Sequence, residues 1–209
     1  MDFELSDDER LLAEGIRRLC SGRFSLDHLR AGEGRSALDE QDWAVLADFG
    51  VFSLTRPEPD GGLGLGMAHA AVVYEELGRA LVPGPIVATH VAAPYVDGAA
   101  TGKVAVGLVR AAPSEPGTPR TPGTPGTLAL PILVDDVASL GALLVVTGDE
   151  VRRIEPGELA ARPIERPVDP LTPLWRVDPL PAGTVVAGAD PAALWRDYLV
   201  LSAALLVGM

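Results

Sequence analysis

The chain has 209 residues, 47% hydrophobic and 22% charged, the proportions of a globular protein with apolar surface for one sizeable domain or two small ones. A formal net charge of -12 and a pI near 4.6 repel phosphate backbones and exclude general nucleic-acid binding. Cys20 is the sole cysteine, which excludes an internal disulfide and any metal site built from several thiolates.

Met1 to Asp8 is acidic and lacks the basic and apolar regions of a secretory leader. No apolar run reaches the roughly 18 residues of a membrane span. A cytoplasmic protein with no membrane span is expected. Ser6 and Glu9 then have capping-box spacing, with Asp7 and Asp8 placed for the positive end of a helix dipole. The helix that follows is predicted to bury Leu11, Leu12, Ile16 and Leu19 and to stop near Gly22. A polar, glycine-containing stretch runs from Leu29 to Arg35. The next helix begins near Asp39, turns Trp43, Leu46, Ala47 and Phe49 inward, and ends at Gly50. Val51 to Thr55 is a short buried run, and Pro57 to Gly62 is a loop. A third helix covers Met67 to Leu81, with Ala70, Tyr74, Leu77 and Leu81 on one face and a Glu75–Arg79 pair four residues apart. After Pro83-Gly84-Pro85, a fourth helix covers Ile86 to Val96.

The texture changes after Thr101. Val104 to Val109 reads as a strand, and Ser114 to Thr127 is a low-complexity Pro/Gly/Thr loop. Leu128 to Val134 and Leu143 to Thr147 are further strands. Gly148-Asp149 turns the latter into a hairpin with Val151 to Ile154. Pro156 to Pro181 is irregular, with a strand around Trp175 to Val177. Asp190 and Pro191 open a last helix. Leu194, Trp195, Tyr198, Leu199, Leu201, Leu205 and Leu206 make it apolar on most sides, so it needs partners on several faces. The fold class is α+β: an N-terminal α-helical domain over 1–100, a reduced antiparallel β-domain over 101–188, and a terminal apolar helix over 189–209.

Three groups of residues are candidates for chemistry. Gly61, Gly62, Gly64 and Gly66 suggest a phosphate loop, but without a strand before them a tight loop is the simpler reading. Glu75 and Glu76 read as a solvated helix face paired with Arg79. His28, His69 and His90 have no metal-ligand spacing, so no metal site is expected.

From Trp43 to Pro85 the chain contains Phe49-Gly50, Pro57-Glu58, Gly61-Gly62-Leu63-Gly64 and Glu75-Glu76-Leu77-Gly78, in that order. This stretch resembles the acyl-CoA dehydrogenase family, in which a helix ending in Phe-Gly is followed by a short strand, a Gly-Gly-x-Gly loop and a Glu-Glu-Leu-Gly helix. Leu201 to Gly208 is similar to the start of that family's C-terminal helical domain. The resemblance implies FAD between the middle β-domain and a C-terminal four-helix domain. It also implies removal of an α-proton by a glutamate and of a β-hydride by the flavin from an acyl-CoA substrate. That glutamate belongs to a domain of which only the first helix is matched, so no residue here is assigned a catalytic role. Ser114-Glu115-Pro116 is the nearest text to the family's flavin-contacting Thr-Glu-Pro segment. The helix after Glu-Glu-Leu borders the acyl chain in the family, which makes Pro85, Ile86 and Thr89 the substrate-binding candidates, with plain helix packing as the competing reading. A homo- or hetero-oligomer with an acyl-CoA dehydrogenase subunit is implied. The alternatives are a non-catalytic homologue that stabilises such a partner and an unrelated helical adaptor.

Overall fold

A computed structural model describes residues 4–32, 39–111 and 132–209. The α+β class holds. Among the described residues are α1 (Asp7–Arg23), α2 (Leu26–Ala31), α3 (Glu40–Asp48), α4 (Met67–Arg79), α5 (Ile86–Ala92) and α6 (Pro191–Gly208). The strands are β1 (Val106–Arg110), β2 (Ile132–Asp135), β3 (Ala142–Val146), β4 (Val151–Ile154), β5 (Ala161–Pro163), β6 (Leu174–Val177) and β7 (Thr184–Val185). The expected loop at 114–127, the first part of the strand expected from Leu128, and the last part of the polar stretch before Arg35 lie outside the described residues.

Local side-chain chemistry starts the helices. The Glu9 carboxylate accepts from the Ser6 backbone N–H at 2.8 Å, and the Ser6 hydroxyl accepts from the Glu9 N–H at 3.3 Å, completing the capping box. Asp39 accepts from the Asp42 N–H at 2.7 Å, and Asp190 accepts from both Ala192 and Ala193. Ser25 caps α2, a six-residue helix too short to show a period in the sequence, which carries Leu29 into the core.

The buried faces depart from expectation in places. On α1 the stripe is Ala13, Ile16 and Cys20, with Leu12 and Leu19 at its flank, and Leu11 is 66% exposed. Cys20 is a core residue whose thiol burial pushes up to about 11, so little thiolate forms at neutral pH. Val51–Ser53 is a 3₁₀ turn, not the short strand the resemblance implied, because Gly50 ends α3 in the left-handed region at φ 86 and the chain keeps turning. Leu81 leaves the α4 face. The helix ends at Arg79 and Leu81 itself has φ 53. Glu76 is not on a solvated face either. It is buried, and Arg17 of α1 grips it with Nη2 at 2.7 Å and Nε at 3.1 Å, while Arg79 pairs closely with Glu75 at the surface and lies 3.8 Å from Glu76. The fourth helix closes at Ala92, two residues before Pro94, and turns replace its expected last part.

The strands form two sheets, in the order β1-β3-β4-β7 and β2-β6-β5. β3 and β4 make the expected hairpin, pairing Val146 with Val151 and Leu143 with Ile154. β1 and β3 pair in parallel, unlike every other registered pair, and β2, which lies between them in sequence, belongs to the second sheet. β5 and β7, of three and two residues, were below the length a sequence pattern reveals. β3 is buried along its whole length. Ala142, Leu144 and Val146 join the core shared with the helices, while Leu143 and Val145 join a second core with Val134, Ile154 and Val177.

α6 lies against α4 at backbone distance. A methyl group on Gly78 would overlap the Leu205 carbonyl, and one on Gly208 would overlap the Glu75 carbonyl. Leu194 and Leu201 of α6 are buried. α6 has 18 residues with mean hydropathy 1.2, enough to cross a membrane by length and composition alone. It contains Arg196 and Asp197 and packs on α4 and α5.

Gly78→Ala is expected to destabilise the protein by about 1–3 kcal/mol through overpacking, read as a lower urea midpoint at an unchanged m-value. His90 gives a second test. Its Nε2 meets the Thr55 hydroxyl at 2.9 Å. Burial pushes its imidazole down to about 4, against the Val51 carbonyl and the Asp197 carboxylate, which both favour the charged form. The unfolded chain takes up the proton near pH 6.5 and the folded chain does not. Stability is therefore full above that pH and falls as pH drops toward 4, by roughly 3 kcal/mol in total. Urea titrations across this range should show the loss, and His90→Gln should flatten it.

Candidate site between the sheet and the last helix

α6 begins beside the ends of β1 and β3, and a cleft of about 390 Å³ opens between them. Arg110, the last residue of β1, forms one wall. Val146, Thr147 and Gly148, leading into the β3–β4 turn, form the floor, and Trp195, Leu199 and Val200 line the helix side. The turn is fixed from within: the Thr147 hydroxyl donates to the Glu150 carbonyl at 2.9 Å and accepts from its N–H at 3.2 Å. The Arg110 guanidinium lies 5.5 Å from the Trp195 ring centre, a cation–π distance. Trp195 stacks on Tyr198 at 5.2 Å and 27°. Removal from water, with Asp135 at the end of β2 adding negative charge, raises the Tyr198 phenol above its ordinary value, and a bond to Ser202 opposes this. Asp135 keeps solvent contact, yet desolvation by the surrounding protein and the adjacent Asp136 carboxylate raise its carboxyl as well. One strip thus joins a cation, two stacked rings and a carboxylate along the boundary between sheet and helix.

Chemically the cleft offers an aromatic side chain, a guanidinium and a backbone turn at Gly148. Those features suit the edge of a planar group carrying partial negative charge, with Leu199 and Val200 as an apolar shoulder. The residues are therefore compatible in kind with a flavin ring, although only the sheet side and one helix wall the space. No sequence signal pointed here. Arg110 ends a strand and Trp195 reads as one more apolar residue of α6, so only the fold brings them together.

The sequence-derived candidates lie elsewhere. Pro85 is half-buried at the start of α5, and Ile86 and Thr89 are fully buried behind it. The Ile86 carbonyl accepts from the Tyr74 hydroxyl at 3.0 Å, and the Thr89 hydroxyl accepts from the Val106 N–H at 2.9 Å. α5 is thus tied to the first residue of β1, and the cleft lies at that strand's other end, ~13 Å along it. The glycine loop is a tight loop. Leu63, Gly64 and Leu65 donate their N–H groups to the carbonyls of Ser53, Arg56 and Leu54. A methyl on Gly62 would overlap the Arg56 carbonyl. With these donors spent inside the loop, no anion cradle is left there. The histidines are not isolated in space as they are in sequence. His28 Nε2 lies 2.7 Å from Asp42, and ligand atoms of His28, Asp39 and Asp42 fall within 4.8 Å of one another. Arg23 already pairs with Asp42 at 3.0 Å and Asp39 caps α3, which accounts for both carboxylates without an ion.

Comparison with known proteins converges on one family. Residues 6–103 match the model of the acyl-CoA dehydrogenase N-terminal domain. Acyl-CoA dehydrogenase IpdE2 of Mycolicibacterium smegmatis is 39% identical over 90 residues, which is 42% of this chain and 29% of that protein. Among solved structures, the Tcur3481-Tcur3483 steroid ACAD G363A variant superposes with a TM-score of 0.68 at 20% identity, covering 95% of this chain and 62% of its own. The ChsE4-ChsE5 complex from Mycobacterium tuberculosis gives 0.67 at 20% identity, covering 98% and 64%. A glutaryl-coenzyme A dehydrogenase in complex with glutaryl-CoA gives 0.67 at 16% identity, covering 100% and 65%. The chain spans less than two thirds of the length of each, and at these identities the structural likeness shows the fold.

Proposed function

We propose, from the match of residues 6–103 to the acyl-CoA dehydrogenase N-terminal domain, that the chain serves the FAD-dependent α,β-dehydrogenation of an acyl-CoA in the cytoplasm, within an assembly that includes further helical protein. The observation that carries this reading is the cleft where Arg110 lies over Trp195, at the boundary between β-domain and last helix. When bound, FAD would supply the acceptor for the hydride leaving the substrate β-carbon. Trp195 provides an aromatic contact for a ring, and Arg110 balances negative charge at its edge. Leu199 and Val200 exclude water from one flank. On the substrate side, half-buried Pro85 supplies the surface toward an acyl chain, and Ile86 and Thr89 hold it from behind. The proton-abstracting carboxylate is assigned to none of the residues here.

Further helices are part of this reading because Leu199, Val200, Leu206 and Val207 of α6 are exposed. The same exposure favours a second reading, in which the chain steadies a full-length dehydrogenase partner and performs no chemistry itself. The ChsE4-ChsE5 structure is a two-protein complex of the family fold, which supports an oligomer with another dehydrogenase subunit.

Flavin absorbance separates the two readings. The chain is co-expressed with a full-length family member, purified as a complex, and titrated with FAD. Trp195→Ala is expected to weaken the flavin sites that this chain completes by about tenfold, since loss of an aromatic stack costs on the order of 1–3 kcal/mol. A complex that forms, raises the partner's melting temperature and binds FAD identically with and without Trp195 would leave only the stabilising role.

A further inference from the structure

The outer face of the β2-β6-β5 sheet has a feature that the dehydrogenase reading does not use. Register places Arg162 of β5 directly opposite Arg176 of β6, and Leu133 of β2 opposite Arg176 on the other side. Val177 between these rows is buried in the second core, so Leu133, Arg176 and Arg162 form one outward row across three strands. Like charges at directly opposed positions repel. Most described cations of this acidic chain are answered closely by a carboxylate, but these two are not. Among the described residues Arg162 has no ion pair, and Arg176 reaches only Asp178, at 3.9 Å. That distance is too long for a hydrogen bond, so among the described residues nothing occupies the guanidinium donors of either arginine. Together with Ala160 and Asp178 they line a cavity of about 430 Å³. With Asp178 counted, the cavity keeps one net positive charge on a chain whose overall charge is -12.

We propose that this cavity binds the phosphate of a small phosphate monoester, held between Arg162 and Arg176. A phosphate presents three acceptor oxygens, enough for a forked contact from each guanidinium, and its negative charge removes the repulsion between them. Leu133, 47% exposed beside Arg176, gives an apolar shoulder for the organic part of an ester.

Isothermal titration of the 209-residue chain tests this, with phenyl phosphate and inorganic phosphate as separate probes at constant ionic strength set by chloride. Saturable binding of phenyl phosphate is expected, with inorganic phosphate weaker. Arg162→Gln and Arg176→Gln should each reduce affinity about tenfold, the loss of one charge-assisted contact. Both arginines are exposed, so the variants should fold. Their unfolding midpoints in the absence of phosphate should equal or exceed that of the parent chain, because a repulsion is removed. Equal binding by parent and variants would overturn the proposal, as would heats that do not saturate for either probe.

Discussion

The contact on which the rest of the molecule depends is the meeting of α4 and α6 at backbone distance. Gly78 and Gly208 sit where any side chain would strike the opposing helix. Because they have none, α6 can lie close enough to bury Leu194 and Leu201 and to bring Trp195 to the end of β1. The cleft is a product of that approach. Gly78 also ends the Glu-Glu-Leu-Gly run, so each part of the motif has a packing reason. Glu75 pairs with Arg79 on the surface, Glu76 anchors Arg17 of α1, Leu77 fills the core, and Gly78 admits α6. A sequence signature of a family here records how three helices fit together, not where chemistry occurs.

A second tie joins the helical half to the sheets. The Thr89 hydroxyl accepts the first backbone N–H of β1, which fixes the strand against α5. Arg110 then emerges at the strand's far end, toward α6. The site is positioned by two constraints, one at each end of a five-residue strand. Neither constraint involves a residue that lines the cleft.

What could be read in the sequence follows a physical division. Ser6, Asp39 and Asp190 act on backbone groups two or three residues away, so their caps were legible, and so was the hairpin around Gly148. The α+β class followed from the change in texture after Thr101. The misread positions depend on distant partners. Leu11 fits a helical period but faces solvent, because what packs against a helix decides which of its faces is buried, and Leu81 lies past the end of α4. Glu76 reads as a surface acid until Arg17, 59 positions away, is placed beside it. The parallel pairing of β1 with β3 has no local signature at all. The candidate site was the least legible part, since Arg110 and Trp195 meet across 85 residues of chain and neither belongs to a motif.

β3 carries Ala-Leu-Leu-Val-Val, with similar side chains pointing into both cores. A shift by one position would exchange its two faces yet leave their chemistry almost the same. The strand therefore cannot choose its own alignment. That choice falls to the bonds at its ends, from Gly141 to the Ala105 carbonyl and from Thr147 to the Glu150 carbonyl. Evolution is free to vary the interior of this strand among aliphatic residues, whereas changes at its two corners risk misthreading the whole domain.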